Sequence, residues 1–207
     1  MYAGESAEAR MARRREELLD SALTVLARDG REGLSVSGLC ASAGLNARYF
    51  YESFASTDEV VEILLARLAD ESIGRAIAQL PSDSPGREDA RAGVAAFIDY
   101  LTDDPRRGRV LFGAVPAGSA AAQQRDRTLH RFITVASARG RDVYGLQEDP
   151  RIDLTAAMMI GGTGQALIDW FDGRIAIERT EFVDELAGTW LALADSMTER
   201  IRSTETG

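Results

Sequence analysis

The chain has 207 residues and 22.4 kDa, of which 45% are hydrophobic, enough for one large domain or a small one joined to a medium one, each with a real core. Its single cysteine, Cys40, excludes an intramolecular disulfide framework, and with a single histidine it also excludes the Cys/His clusters of structural zinc, as suits a reducing compartment. A net charge of −9 and a pI near 4.8 stand, at first sight, against a broadly basic nucleic-acid surface.

All 24 basic residues are arginines. Because arginine is used even where no phosphate or carboxylate recognition is evident, this reads as coding bias more than selection for forked donors. The first twenty residues hold no apolar run that could act as a signal peptide, so the chain is expected in the cytoplasm in this form.

Taken in order, the elements are helical. Leu18, Leu19, Ala22, Leu23, Val25 and Leu26 recur at amphipathic-helix spacings, and Gly30 stands at the stop position. Two short helices follow, Ser35 to Ala43 and Ala47 to Ser53, with a break at Gly44-Leu45-Asn46. Ser56-Thr57-Asp58-Glu59 has the form of a capping box and predicts a helix through Val60, Val61, Leu64, Leu65 and Leu68 towards Leu80. Pro81-Ser82-Asp83-Ser84-Pro85-Gly86 reads as a linker. Beyond it, helices are predicted at Arg87 to Thr102, Arg106 to Ala114, Ala120 to Tyr144, Ile152 to Arg174 and Thr180 to Arg202. Pro105, Pro116 to Gly118, Gly145 to Pro150 and Gly173 to Glu178 fall at the joints. The expectation is an all-α chain of about nine helices.

The uncharged stretch Leu154 to Ile168 is shorter than the roughly 20 residues a membrane span needs, and it contains three glycines and is followed by Asp169. No membrane association is expected, and a helix apolar all round is one packed on several sides. The last helix carries Phe182, Leu186, Trp190, Leu193, Met197 and Ile201 on one broad face, and these two C-terminal helices suggest a bundle completed by a second copy of the chain.

The pattern from Ser35 to Ser53 is that of a helix-turn-helix. Ser35 and Asn46 can cap the two short helices. Leu39 and Ala43 give the first its inward face, and Cys40 is small enough for a close crossing. Gly44 takes the turn, where a positive φ suits glycine. Phe50 and Phe54 give the second helix its buried side, leaving Ala47, Arg48, Tyr49, Tyr51 and Glu52 outward. Arg48 can reach guanine or phosphate, and the tyrosine hydroxyls can donate to phosphate oxygens. Arg10, Arg13, Arg14 and Arg15 have two readings, a phosphate-contacting arm or a solvated helix start beside Glu16 and Glu17.

In Leu18 to Gly30, Ser35-Val36, Ala43-Gly44-Leu45-Asn46, Phe50-Tyr51-Glu52-Ser53-Phe54 and Ser56-Thr57-Asp58, the stretch Arg15 to Leu65 resembles the DNA-binding domain of TetR-family (tetracycline-repressor-like) transcriptional regulators. The match covers about a quarter of the chain as an ordered series of caps, turn and aromatics. The resemblance implies a helix-turn-helix DNA-binding domain over 12–72, with its motif at 35–54, and a ligand-binding and dimerisation domain over 85–203. It implies a homodimeric, ligand-responsive repressor on double-stranded, pseudo-palindromic operator DNA, with half-sites roughly 34 to 36 Å apart or a multiple of that. Ligand binding would tilt the helix that starts at Ser56.

DNA-contacting candidates are Ser35, Ser37, Asn46, Ala47, Arg48, Tyr49, Tyr51, Ser53 and Thr57. Thr57 stands where the family usually has Lys, and Ser53 where His is common. One cationic contact is therefore missing, which predicts a salt slope shallower by roughly one phosphate. Candidates to line a site for a small apolar effector are Phe97, Tyr100, Phe112, Met158, Met159, Thr163 and Trp170, each of which also reads as plain core. The dimer candidates are Leu154, Ile168, Phe182, Leu186, Trp190, Leu193 and Met197.

Bland readings stand beside the sharp ones. Tyr49 and Tyr51 can be core, Cys40 a packed residue in place of a redox switch, and His130 an ordinary surface side chain. Gly161, Gly162 and Gly164 echo part of a dinucleotide fingerprint, but no strand precedes them, and close helix packing explains them better. No nucleophile motif, phosphate loop or carboxylate pair offers chemistry, so no enzyme activity, cofactor or metal is expected. The rival function is a small-molecule-binding or interaction protein on the same scaffold without operator binding. The overall acidity does not decide for that rival. Residues 9 to 55 hold seven arginines against six carboxylates, a net of +1, leaving −10 for the rest. That distribution confines any DNA contact to a small patch.

Overall fold

A computed structural model describes residues 6–80, 87–112 and 120–205. The expected linker at 81–86, Ala114 and the joint at 116–118 lie outside the described residues. Among the described residues there are nine α-helices, one 3-10 turn and no strand: α1 (Ala7–Asp29), the turn Arg31–Gly33, α2 (Val36–Ser42), α3 (Ala47–Ser53), α4 (Thr57–Ile77), α5 (Arg87–Asp103), α6 (Pro105–Phe112), α7 (Ala120–Tyr144), α8 (Pro150–Phe171) and α9 (Arg179–Glu205).

The helix ends have local causes. Ser6 caps α1, accepting from the Ala9 N–H at 3.1 Å, so the helix starts well before its apolar stripe. Gly30, at φ 69°, ends it. Prolines open two helices. Pro105 begins α6, and Pro150 stands at the first position of α8 behind the Asp149 cap, because a proline there gives up an N–H that would have no partner. From sequence both are expected at joints between helices; instead each opens a helix. At the other end of α8, Gly173 takes φ 73°. The Gly173 N–H donates to the Trp170 carbonyl and the Arg174 N–H to the Asp169 carbonyl at 2.7 Å, which closes the helix before Arg174. α4 ends at Ile77, short of Leu80.

The chain divides into two compact units, Met1–Leu68 with Pro105–Gly113, and Ala69–Asp104 with Ala114–Gly207. This differs from a division into 12–72 and 85–203 at two places: α4 is shared between the units, and α6 joins the first. The physical reason for the latter is that α6 packs along α1, where Arg106 donates to Thr24 Oγ1 at 2.7 Å and to the Asp20 carboxylate at 2.9 Å. The core of the first unit includes Leu18, Leu19, Ala22, Leu39, Phe50, Phe54, Val60 and Leu64, all buried.

In the second unit α5 packs on α9, α7 on α8 and α8 on α9. One apolar cluster joins Ala69, Phe132 and Ile160, with Ile73, Phe97, Leu129, Ile133, Ala136 and Trp190 packed against it. Another joins Leu146, Ile152, Met197 and Ile201 with Tyr144. Beside the latter, Arg151 donates to the Arg200 carbonyl at 2.9 Å and to Thr204 Oγ1 at 3.0 Å, and binds Asp149 through Nε and Nη2. This ties the start of α8 to the end of α9. Among the described residues no helix is long and apolar enough to cross a membrane.

Asp149 also accepts from the Arg151 N–H at 2.8 Å, and the Arg151 side chain and backbone together hold its carboxyl down to about 2, from an ordinary 3.8. A depressed native pKa contributes stability above the unfolded value, and that contribution is lost as pH falls through the native one. Asp149→Asn should therefore lower the melting temperature at pH 7. The gap between variant and wild type should shrink as pH falls from about 4 towards 2, as followed by circular dichroism.

Candidate nucleic-acid interface

The α2–α3 unit is built by caps, one turn and two rings. Ser35 Oγ accepts from the Gly38 N–H at 3.1 Å, and Asn46 Oδ1 from the Tyr49 N–H at 3.3 Å. Between the helices Gly44 stands at φ 65°. The Leu45 N–H donates to the Cys40 carbonyl at 2.8 Å and the Gly44 N–H to the Ala41 carbonyl at 3.3 Å, the paired bonds of a glycine-terminated helix end. The Ser21 hydroxyl donates to the Leu39 carbonyl from α1. Cys40 is buried, and burial pushes its thiol up, so thiolate is scarce and the residue is a packed one.

Phe50 is wholly buried and Phe54 nearly so, with ring centroids 5.7 Å apart. Their insertion turns the other side of α3 outward. Ala47, Arg48 and Tyr51 are exposed, Arg48 at 83% of its side chain and Tyr51 at 63%. Tyr49 and Ser53 are half-buried. Ser35, Ser37 and Asn46 are exposed, with the two serine oxygens 3.4 Å apart. Eight of the nine expected DNA-contacting positions thus lie on α2, α3 and their caps, and Thr57 begins α4.

Arginines from outside α3 shape this face, and local sequence gave little sign of them. Arg15 on α1 donates to the Ser53 carbonyl at 2.7 Å and lies over the Phe54 ring at 4.3 Å. It braces α3 from behind and offers nothing outward. Arg14 lies over the Tyr49 ring at 4.2 Å and pairs with Glu52 at 3.6 Å. Arg48 Nε donates to the other oxygen of Glu52 at 3.0 Å. Arg31 donates to Thr57 Oγ1 at 3.1 Å and pairs with Asp58. A cation therefore stands beside Thr57 although position 57 is not itself cationic. Having accepted from Arg31, the Thr57 hydroxyl keeps its own proton for donation.

Ser56 and Glu59 make the capping pair. Ser56 Oγ accepts from the Glu59 N–H at 3.2 Å, and Glu59 in turn accepts from the Ala55 N–H, one residue before the cap itself.

The other candidates do not gather into single sites. Phe97 packs edge-on against Phe132, with ring centroids at 6.0 Å. Tyr100 is wholly buried, its hydroxyl donating to Glu71 at 2.8 Å and its ring lying under the Arg75 guanidinium. Thr163 is buried and accepts from Trp190 Nε1 at 2.9 Å. Met159 is half-buried, and Trp170 stacks on Phe182 at 4.9 Å while donating to the Ile177 carbonyl. Two effector-lining candidates stand apart from the rest. Phe112 belongs to the other unit with α6, and Met158 is 58% exposed.

Among the dimer candidates, Phe182 and Met197 are buried within the chain itself, the first under Trp170 and the second among Leu146, Ile152 and Ile201. Trp190 is held by Thr163. Leu154 is exposed, and Ile168, Leu186 and Leu193 are half-buried. With Met158, Gly161, Gly162 and Gln165, Leu154 forms one exposed stripe along α8. A Cβ built at Gly161 or Gly162 meets nothing within 4 Å, so neither glycine is required by packing inside the chain. His130 is exposed, with Nδ1 2.9 Å from the Asp126 carbonyl. No group of three or more possible metal ligands occurs among the described residues.

No family sequence model matches the chain, and no curated protein matches it by sequence. Solved structures do match by fold. A tetR-family transcriptional regulator from Streptomyces coelicolor superposes with a TM-score of 0.72 at 19% identity, covering 93% of this chain and 89% of that one. A TetR-family regulator from Syntrophomonas wolfei gives 0.73 at 16%, covering 88% and 95%. The transcriptional regulator FadR from Bacillus subtilis, in complex with stearoyl-CoA, gives 0.65 at 17%, covering 86% and 96%. The chain has the all-α fold of TetR-family regulators.

The two kinds of arginine should separate in unfolding experiments. Arg15→Ala removes a half-buried strut and should cost about 1 to 2 kcal/mol. Arg48→Ala removes only an exposed i,i+4 pair and should cost less than about 0.5 kcal/mol. Because Trp170 and Trp190 both lie in the second unit, urea denaturation followed by hydrogen exchange of the amides of α1 to α3 measures both.

Proposed function

We propose that the protein is a cytoplasmic, ligand-responsive transcriptional repressor that binds pseudo-palindromic duplex DNA as a homodimer. The observation that carries this reading is the outward face of α3. A seven-residue helix, capped at Asn46 and fixed by Phe50 and Phe54, presents Ala47, Arg48 and Tyr51 to solvent at the turn of a helix-turn-helix. Such a helix fits the major groove, where Arg48 can donate to guanine O6 and N7, while Tyr51, Ser37 and Thr57 hydroxyls donate to phosphates. The fold shared with solved regulators supports the same reading.

The dimer surface we assign is the exposed stripe of α8, with Leu186 and Leu193 of α9 flanking it. Two large apolar side chains one turn apart, followed by two glycines with open space above them, suit the close approach of a partner helix in a two-fold contact. Effector binding we place in the second unit at the cluster of Phe97, Phe132, Ile160 and Trp190, which also contains Ala69 and Ile73 of α4. An apolar ligand there would act on α4 by its unequal affinity for two states. The stearoyl-CoA carried by the FadR structure is in keeping with an effector that has an apolar chain.

Selection from a random duplex library should yield a two-fold symmetric consensus. On the selected duplex Arg48→Ala should cost about 1 to 3 kcal/mol and relax one base position. Failure of the wild-type protein to enrich any duplex would favour the rival, a binding or interaction protein on this scaffold. Met158→Arg and Gly162→Arg should sediment as monomers and bind the duplex weakly, whereas dimers of both variants would remove α8 from the interface.

A further inference from the structure

The outward face of α3 carries a carboxylate at the centre of its cations. Glu52 Oε1 accepts from Arg48 Nε at 3.0 Å, and Glu52 Oε2 lies 3.6 Å from Arg14 Nη2, so each oxygen holds one arginine. Arg14 is further fixed over the Tyr49 ring. The two guanidinium groups nearest the tip of the motif are thus already paired with an anion, and their joint charge with Glu52 is +1 instead of +2. The side chain of Arg48 is 83% exposed and that of Glu52 35%, so a duplex approaching α3 meets both.

We infer that Glu52 is a specificity-determining residue of the DNA-binding face, a built-in competitor that suppresses binding to sequences offering phosphates alone. A phosphate that takes Arg48 or Arg14 must either displace the carboxylate or share the guanidinium with it, and in both cases it lies beside a like charge that repels it. A carboxylate pressed against the groove finds a direct donor where a base edge supplies an amino group, as cytosine N4 does in the major groove. Sequences without that donor lose the arginine contact, suffer the repulsion, or both. The inference rests on the DNA-binding function proposed above and adds to it the residue that penalises wrong sequences. Phe50 and Phe54 supply the buried packing of α3, while Glu52 is exposed on its outward side.

The test uses the full-length protein, a duplex selected by the wild type and a random-sequence duplex of equal length, with affinities read by fluorescence anisotropy from 50 to 300 mM salt. Glu52→Gln keeps the shape and removes the charge, and Glu52→Ala is the second variant. Both should bind the random duplex roughly three- to tenfold more tightly than wild type. Their salt slope on it should be steeper by about 0.9, the value for one more neutralised phosphate. The ratio of selected to random affinity should fall. An unchanged or increased ratio in both variants, with wild type still discriminating, overturns the role of Glu52 and leaves the regulator reading intact. If the wild type enriches no duplex, the function and this inference fall together.

Discussion

The seating of Phe50 and Phe54 is the constraint on which the rest depends. A helix of seven residues has no stability of its own, since isolated helices shorter than about 12 to 15 residues are marginal in water. α3 exists, and points where it does, because two rings one turn apart are driven into the core of a unit whose buried residues also include Leu18, Leu39 and Val60. Rotating α3 by one residue would expose a phenylalanine and bury Tyr51 or Arg48. Arg15 reinforces the same orientation, gripping the final carbonyl of α3 while covering the Phe54 ring. What α3 presents outward therefore follows from what it must bury.

Charge acts on that geometry at two scales. The chain carries −9, yet the stretch containing the motif is close to neutral with a slight positive excess. Within the motif the cations are not left bare: Glu52 faces Arg48 and Arg14, and Asp58 faces Arg31. Long-range attraction of this face to a polyanion is correspondingly weak, and discrimination falls on short-range contacts that can replace the carboxylates. On the proposed DNA-binding function, the acidity that at first stands against such binding becomes a means of keeping it selective.

The parts legible in the sequence are those decided locally. Ser35, Asn46, Ser56 and Gly44 announce their roles because a cap or a left-handed turn depends on a few neighbours, and Phe50 and Phe54 announce theirs by spacing. The parts that were not legible depend on partners distant in sequence. Nothing near Arg31 indicates that it meets Thr57, and nothing in α6 shows that Arg106 ties it to Asp20 and Thr24 of α1. Phe182 and Met197 lie on one broad apolar stripe of α9 that also holds dimer candidates, and such a stripe cannot say which of its residues turn inward within the chain. Trp170 and the α8 residue Ile152 bury them. Pro150 reads in sequence as part of a joint, although behind an Asp cap a proline begins a helix as readily as it ends one.

The central claim is that the outward side of α3 enters the major groove, once per subunit of a dimer. Dimethyl sulfate protection on the selected duplex tests it most directly, because guanine N7 faces the major groove and adenine N3 the minor groove. The account predicts guanine N7 protection in two patches related by two-fold symmetry and centred about one helical turn, or a multiple of it, apart. Arg48→Ala should lift protection at one guanine in each patch. Protection confined to adenine N3, or a single unsymmetrical patch unaffected by Arg48→Ala, would contradict it.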